Sequence, residues 1–96
     1  MVTSYGTDSI PKLDITPKNT TEDVNTRFRL TAEIDSGIDY DTIYWYTSDT
    51  TILKLHNTST IYATFDALKV GSAVVYCILF KNGTKVIADS NVVTIQ

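Results

Sequence analysis

The strongest pattern along the chain is alternation with a period of two. In Arg27-Phe28-Arg29-Leu30-Thr31-Ala32-Glu33-Ile34 every second residue is apolar, and charged or hydroxyl residues stand between. Successive side chains of an extended backbone point to opposite faces. This segment therefore predicts a half-buried antiparallel strand with Phe28, Leu30, Ala32 and Ile34 on its inner side. Leu13-Asp14-Ile15-Thr16 alternates too and is stopped by Pro17, which suits a short edge strand. Further strands are expected at residues 42–47, 52–55, 60–65, 73–80 and 85–95. Asn82-Gly83 separates the last two, and both residues tolerate the positive φ of a tight hairpin turn. Residues 35–41 read as a loop, and no segment carries helical periodicity. Many short strands with turn signals between them predict an all-β sandwich of about seven antiparallel strands in two sheets.

The alternation also sorts inward from outward positions. In residues 73–80 Ala73, Val75, Cys77 and Leu79 share one parity, and Val74, Tyr76, Ile78 and Phe80 share the other. Trp45 shares its parity with Ile43, which sets Tyr44 and Tyr46 on the opposite side. The expected structural core is Phe28, Leu30, Trp45, Ile52, Leu55, Gly71, Val75 and Cys77. The length of 96 residues suits one domain, and such a chain buries only roughly 60–65% of its unfolded surface. A hydrophobic fraction of 43% is enough for an efficient core. Residues 1–12 are polar, carry Gly6 and Pro11, and read as a flexible arm or linker; residues 13–96 form the domain.

Several segments resemble the bacterial immunoglobulin-like group 2 family, found in invasin- and intimin-type adhesins and in phage head and tail proteins. Ile15-Thr16-Pro17 is similar to the family's opening Ile-Thr-Pro. Val24-Asn25 followed by Leu30-Thr31-Ala32 matches Val-Gly and then Leu-Thr-Ala. Asn25 replaces the usual Gly and is the next best residue for a left-handed backbone. Residues 45–55 match the Trp-x-Ser-Ser-Asp core motif with its two later apolar slots, filled here by Ile52 and Leu55. Residues 67–75 match Ala-Leu-Lys-x-Gly-x-Ala-x-Ile. The family's tight Asn-Gly hairpin is replaced by His56-Asn57-Thr58-Ser59-Thr60, expected here as a turn. The resemblance implies an immunoglobulin-like sandwich, a scaffold that serves many tasks.

Catalytic chemistry finds little footing. The single histidine, His56, falls in the expected turn, where a solvated role outweighs that of a general base or metal ligand. Cys77 is the one cysteine, so no internal disulfide can form. Its inward parity makes it packing, not a nucleophile. Asp35, Asp39 and Asp41 cluster in one loop, but their spacing matches no calcium loop. No His/Cys metal spacing or phosphate-binding glycine loop occurs, so no catalytic residue, metal or cofactor is expected. Asn19, Asn57 and Asn82 begin Asn-x-Ser/Thr triplets, frequent by chance in a chain rich in these residues. Thr47, Ser48 and Asp49 suit a turn built by side chain to backbone hydrogen bonds.

A formal charge of −3 with scattered lysines and arginines argues against nucleic acid. The longest apolar run, residues 73–80, is far short of the roughly 20 residues a spanning helix needs, so no membrane insertion is expected. The first residues lack the basic and apolar regions of a signal peptide. One feature exceeds the needs of a sandwich. Tyr44, Tyr46, Tyr76, Ile78 and Phe80 face outward on two strands that would be neighbours, forming an apolar-aromatic patch of the kind that marks interfaces. The alternative is that these side chains stabilise the sheet as cross-strand pairs. The expected function is a non-enzymatic domain on a phage virion surface, decorating capsid or tail and binding a protein subunit or a cell-surface glycan. An excised repeat of a bacterial cell-surface adhesin and a glycan-binding module are the alternatives.

Overall fold

The computed structural model describes residues 12–96, so the expected N-terminal arm lies, apart from Lys12, outside the described residues. Eight strands follow in order: β1 (Leu13–Thr16), β2 (Thr21–Glu22), β3 (Arg27–Ile34), β4 (Thr42–Thr47), β5 (Leu53–Ser59), β6 (Tyr62–Ala67), β7 (Gly71–Lys81) and β8 (Thr84–Ile95). They form two four-stranded sheets, β1-β3-β6-β5 and β2-β8-β7-β4. Every pairing is antiparallel except β2 with β8. The described residues form an all-β sandwich, with eight strands where about seven were expected.

The additional strand is β2, two residues long. It has no periodicity of its own and exists through its neighbour. Thr94 and Gln96 donate backbone N–H groups to the carbonyls of Thr20 and Glu22, and Val24 donates to Gln96. The chain leaves the first sheet after β1 and joins the second at β2. Two side chains of β8 hold that crossing. The amide of Asn91, a buried polar residue, donates to the Pro17 carbonyl at 2.8 Å, and its oxygen accepts the Asn19 N–H. Asp89 accepts the Ile15 N–H at 2.8 Å and pairs with the Lys18 ammonium at 3.0 Å.

A second departure concerns His56-Asn57-Thr58-Ser59. These residues continue β5 instead of forming a turn, and the reversal falls at Thr60-Ile61, with Thr60 at φ 48°. Leu55 pairs with Phe65 and Asn57 with Thr64, which leaves His56 as the extra residue of a bulge. Pairing with β6 carries this polar segment into the sheet, although its composition favours a loop. The hairpin at Asn82-Gly83 is as expected, with φ 52° and 79° at the two positions, and Asn25 is left-handed at φ 68°.

The core lies between the sheets. Leu30, Leu53, Ala63 and Phe65 come from one side; Trp45, Val75, Cys77, Leu79, Val93 and Ile95 come from the other. The Trp45 ring meets Phe65 edge-on, with centroids 6.3 Å apart and planes at 68°. Phe28 stacks against the other side of Phe65 at 5.9 Å. Of the expected core, Leu30, Trp45, Val75 and Cys77 are buried, while Phe28, Ile52, Leu55 and Gly71 are partly buried around it. Phe65 is the largest fully buried side chain and was absent from that expectation. Gly71 opens β7 at φ 150°, and a Cβ there would come within 2.8 Å of Ile52 Cδ1.

Two predictions follow from this packing. Trp45→Ala should cost about 3–5 kcal/mol, the usual penalty for emptying a large aromatic site. Trp45→Phe should cost much less, because the indole N–H is buried and has no acceptor among the described residues. Chemical denaturation of the two variants checks this; equal losses would contradict it. The second prediction concerns acid. Burial pushes the Asp89 carboxyl up, but the Ile15 N–H and the Lys18 ammonium outweigh it, and the group sits below its ordinary range. The unfolded chain then binds the proton more readily, so this stabilisation is present above about pH 4 and is lost as pH falls below it. Asp89→Asn should flatten the acid limb of the stability profile, measured by melts from neutral pH down to strong acid.

Candidate interaction surface

Direct partners across an antiparallel ladder share a face, so the register builds the outer surface of the second sheet residue by residue. Tyr46 lies opposite Tyr76, Tyr44 opposite Ile78, and Thr42 opposite Phe80. On the far side of β7, Ser90 lies opposite Tyr76, Ala88 opposite Ile78, and Val92 opposite Val74. All five residues expected on the outward patch are therefore on one face. Their exposure is unequal. Tyr44 and Tyr46 are 55% and 38% exposed. Tyr76, Ile78 and Phe80 are half-buried, because β7 has neighbours on both sides. The Tyr46 and Tyr76 rings stack at 4.6 Å and 18°, and Tyr44 leans on Tyr46 at 5.7 Å. The tyrosines thus stabilise the sheet as cross-strand pairs and still present aromatic surface.

The patch extends further than the sequence suggested. Val74 and the exposed Val92 continue it along β7 and β8. Counting back from the Asn82-Gly83 turn alone would bring Asn91 beside Val74, so no signal in the sequence announced this extension. A bulge at Val86, between the Leu79–Ile87 and Phe80–Lys85 pairs, shifts the register by one and puts Val92 there instead.

The outer face of the first sheet has the opposite character. Arg27 pairs with Asp66 at 2.7 Å, and Arg29 lies over the Tyr62 ring at 4.6 Å. Thr31, Glu33, Lys54 and Thr64 fill neighbouring positions. Both faces belong to one small protein, yet paired charges cover the first while tyrosine, isoleucine, phenylalanine and valine dominate the ladder of the second. That contrast marks the β4-β7 face as the candidate site.

The other candidates are placed by their contacts. His56 lies on β5 with Nδ1 at 3.8 Å from Asp66. The Arg27 guanidinium holds that carboxyl below its ordinary range, so Asp66 is committed to Arg27 more than to the imidazole. The three loop aspartates have separate partners. Asp35 accepts the Lys12 N–H, Asp39 pairs with Lys81, and Asp41 accepts the Asn82 N–H and the Thr42 hydroxyl. Asp49 accepts both the N–H and the hydroxyl of Thr51, Ser48 accepts the Val74 N–H, and the Thr47 hydroxyl donates to the Leu53 carbonyl. Thr47, Ser48 and Asp49 therefore build the turn between β4 and β5.

Cys77 is fully buried opposite Trp45. Burial, with a smaller push from the Asp89 charge, raises its thiol to about 12. At neutral pH the reactive thiolate is almost absent.

The chain is similar in structure to the S-layer protein SbsC domains 4 and 5, with a TM-score of 0.62 at 12% sequence identity. The match covers 90% of this chain and 53% of that one, so the chain spans about half the length of the structure it matches. At this identity the likeness speaks for the fold, a β-sandwich domain. No family model and no curated protein matches the sequence.

Cys77 should react slowly with a thiol reagent in the native protein and rapidly in denaturant. Fast native labelling would place the β7 register one residue away and turn the aromatic set inward.

Proposed function

We propose that this chain is an immunoglobulin-like module that acts by docking and not by catalysis, with the outer face of β4 and β7 as its contact surface. The strand order supports the immunoglobulin-like reading. With β1, β3, β6 and β5 on one side and β8, β7 and β4 on the other, the connectivity has the order of a constant-type immunoglobulin sandwich, and β2 is the part of the first strand that switches sheets. The motif resemblance points to the bacterial immunoglobulin-like group 2 family. The setting favoured here is the surface of a phage virion, where the module decorates capsid or tail and holds a neighbouring subunit or a cell-surface glycan.

The observation that carries the docking reading is the contrast between the two outer faces. Folding alone accepts threonine or lysine where Tyr44, Tyr46, Ile78 and Val92 stand. Tyrosine is also a frequent interface hot spot, with a large contact area and few rotors to freeze. For a glycan, the hollow beside Tyr76 supplies an aromatic wall next to Asp89 and Ser90. A second setting, a repeat of a bacterial surface protein, draws on the fold likeness to an S-layer protein domain. Capsid or tail genes beside the coding sequence would favour the first; tandem copies in one gene would favour the second.

The Tyr46→Ser/Tyr76→Ser double variant should lose binding to cell-wall material or to virion subunits by about tenfold or more, as for loss of a hot spot. It should lose a few kcal/mol of stability, about 1 for the stacked pair and the rest for the apolar area that half-buried Tyr76 covers, and stay folded. Paired melts and binding assays check this. Unchanged binding, or a collapse of stability, would assign the tyrosines to the sheet alone.

A further inference from the structure

The four edges of the two sheets are not equally protected. β1 is four residues long, carries Asp14 and ends at Pro17, and β2 is two residues long. β5 carries Lys54 and a bulge at His56. Short length, charge, proline and bulges are the usual guards against pairing with another chain. β4 has none of them: Thr42-Ile43-Tyr44-Trp45-Tyr46-Thr47 is an uncharged, unbulged strand of β-branched and aromatic residues. Among the described residues its ladder is used on one side only. The Ser48 N–H bonds to the Val74 carbonyl, in register with the β4-β7 pairs. Antiparallel bonding alternates, so Thr42, Tyr44 and Tyr46 bond to β7, while Ile43, Trp45 and Thr47 direct their backbone groups away from the sheet.

We propose that β4 pairs antiparallel with β4 of a second copy of this chain, about a two-fold axis at Trp45. The occupant is argued from the strand itself, which is near-symmetric about Trp45: tyrosine on each side, then the β-branched Ile43 and Thr47, then the hydroxyl residues Thr42 and Ser48. An isologous contact needs such self-complementarity. With Trp45 opposite Trp45 of the second copy, Ile43 faces Thr47 and all three outward backbone groups find partners. Tyr44 then meets Tyr46 of the other copy at the close, non-hydrogen-bonded positions. The two outer faces join into one aromatic surface across the seam. The pairing deepens the docking reading above and rests on it for its purpose, though not for its geometry. Asp41 and Asp49 flank the strand and would face each other across the seam. Hydrogen bonds from Asn82 and Thr51 hold both carboxyls below their ordinary range and keep them charged. The pairing is therefore weak and strengthens with salt.

The test is sedimentation of the full chain over rising concentration and salt. The wild type should dimerise reversibly, more tightly in high salt. Thr47→Pro removes one outward N–H without touching a β7 bond and should be monomeric, while Thr47→Val, which also lacks the hydroxyl, should dimerise. Tyr44→Lys/Tyr46→Lys and Tyr44→Glu/Tyr46→Glu should each be monomeric alone and dimeric when mixed, an outcome that requires both to be folded. Tyr76→Lys lies one strand from the seam; it should lose partner docking and keep the dimer. A wild type that stays monomeric at the highest concentration and salt overturns the proposal, as does a folded Thr47→Pro that dimerises like wild type. Loss of the dimer in Tyr76→Lys also overturns it, since it would mean that the faces stack instead. A monomeric wild type whose docking still depends on Tyr46 and Tyr76 would end the edge proposal alone.

Discussion

The packing of Trp45 against Phe65 governs the rest of this molecule. Trp45 and Cys77 are direct partners on β4 and β7, and both are buried beneath the opposite sheet. A strand has only two faces, so committing these residues to the core commits Tyr44, Tyr46, Tyr76, Ile78 and Phe80 to the outside. The aromatic surface is thus the other half of the core's own alternation. A slip by one residue would drive the larger Tyr76, Ile78 and Phe80 into space filled by Ala73, Val75 and Cys77, overpacking the core and burying tyrosine hydroxyls without partners.

The two sheets meet water in different ways. The first covers its outer face with charges that pair locally, such as Arg27 with Asp66 and Arg29 over Tyr62. Such exposed pairs contribute little to stability but keep the face soluble. The second sheet leaves its central ladder apolar. Its polar groups work at its margins instead: Asp89 and Asn91 fasten the crossing from β1 to β2, and Asp41 and Asp49 cap the ends of β4. Charge is spent on fastening loops, and the middle of the sheet is free for contact.

Much of this was legible in the sequence. The spans of β1, β3 and β4, the hairpin at Asn82-Gly83, the inward Trp45 and Cys77 and the outward five all follow from period-two alternation and turn chemistry, while the left-handed Asn25 came only from the motif resemblance. The misses have one cause. β2, the continuation of β5 through His56 and Ser59, and the bulge at Val86 are held by pairing with residues distant in the chain, so nothing in their own composition announces them. Phe65 was overlooked because it closes a short segment, whereas its importance lies in standing between Phe28 and Trp45 from two other strands.

The sequence by itself determined which residues extend, where the chain turns and which side chains share a face, because steric preference and side-chain direction act within a few residues. Only the tertiary structure decided which strands are neighbours, that Tyr46 stacks on Tyr76, that Val92 lengthens the patch and that β4 is left at an edge. Those outcomes depend on hydrogen-bond ladders between segments far apart in the chain, and a local pattern contains no record of its partner.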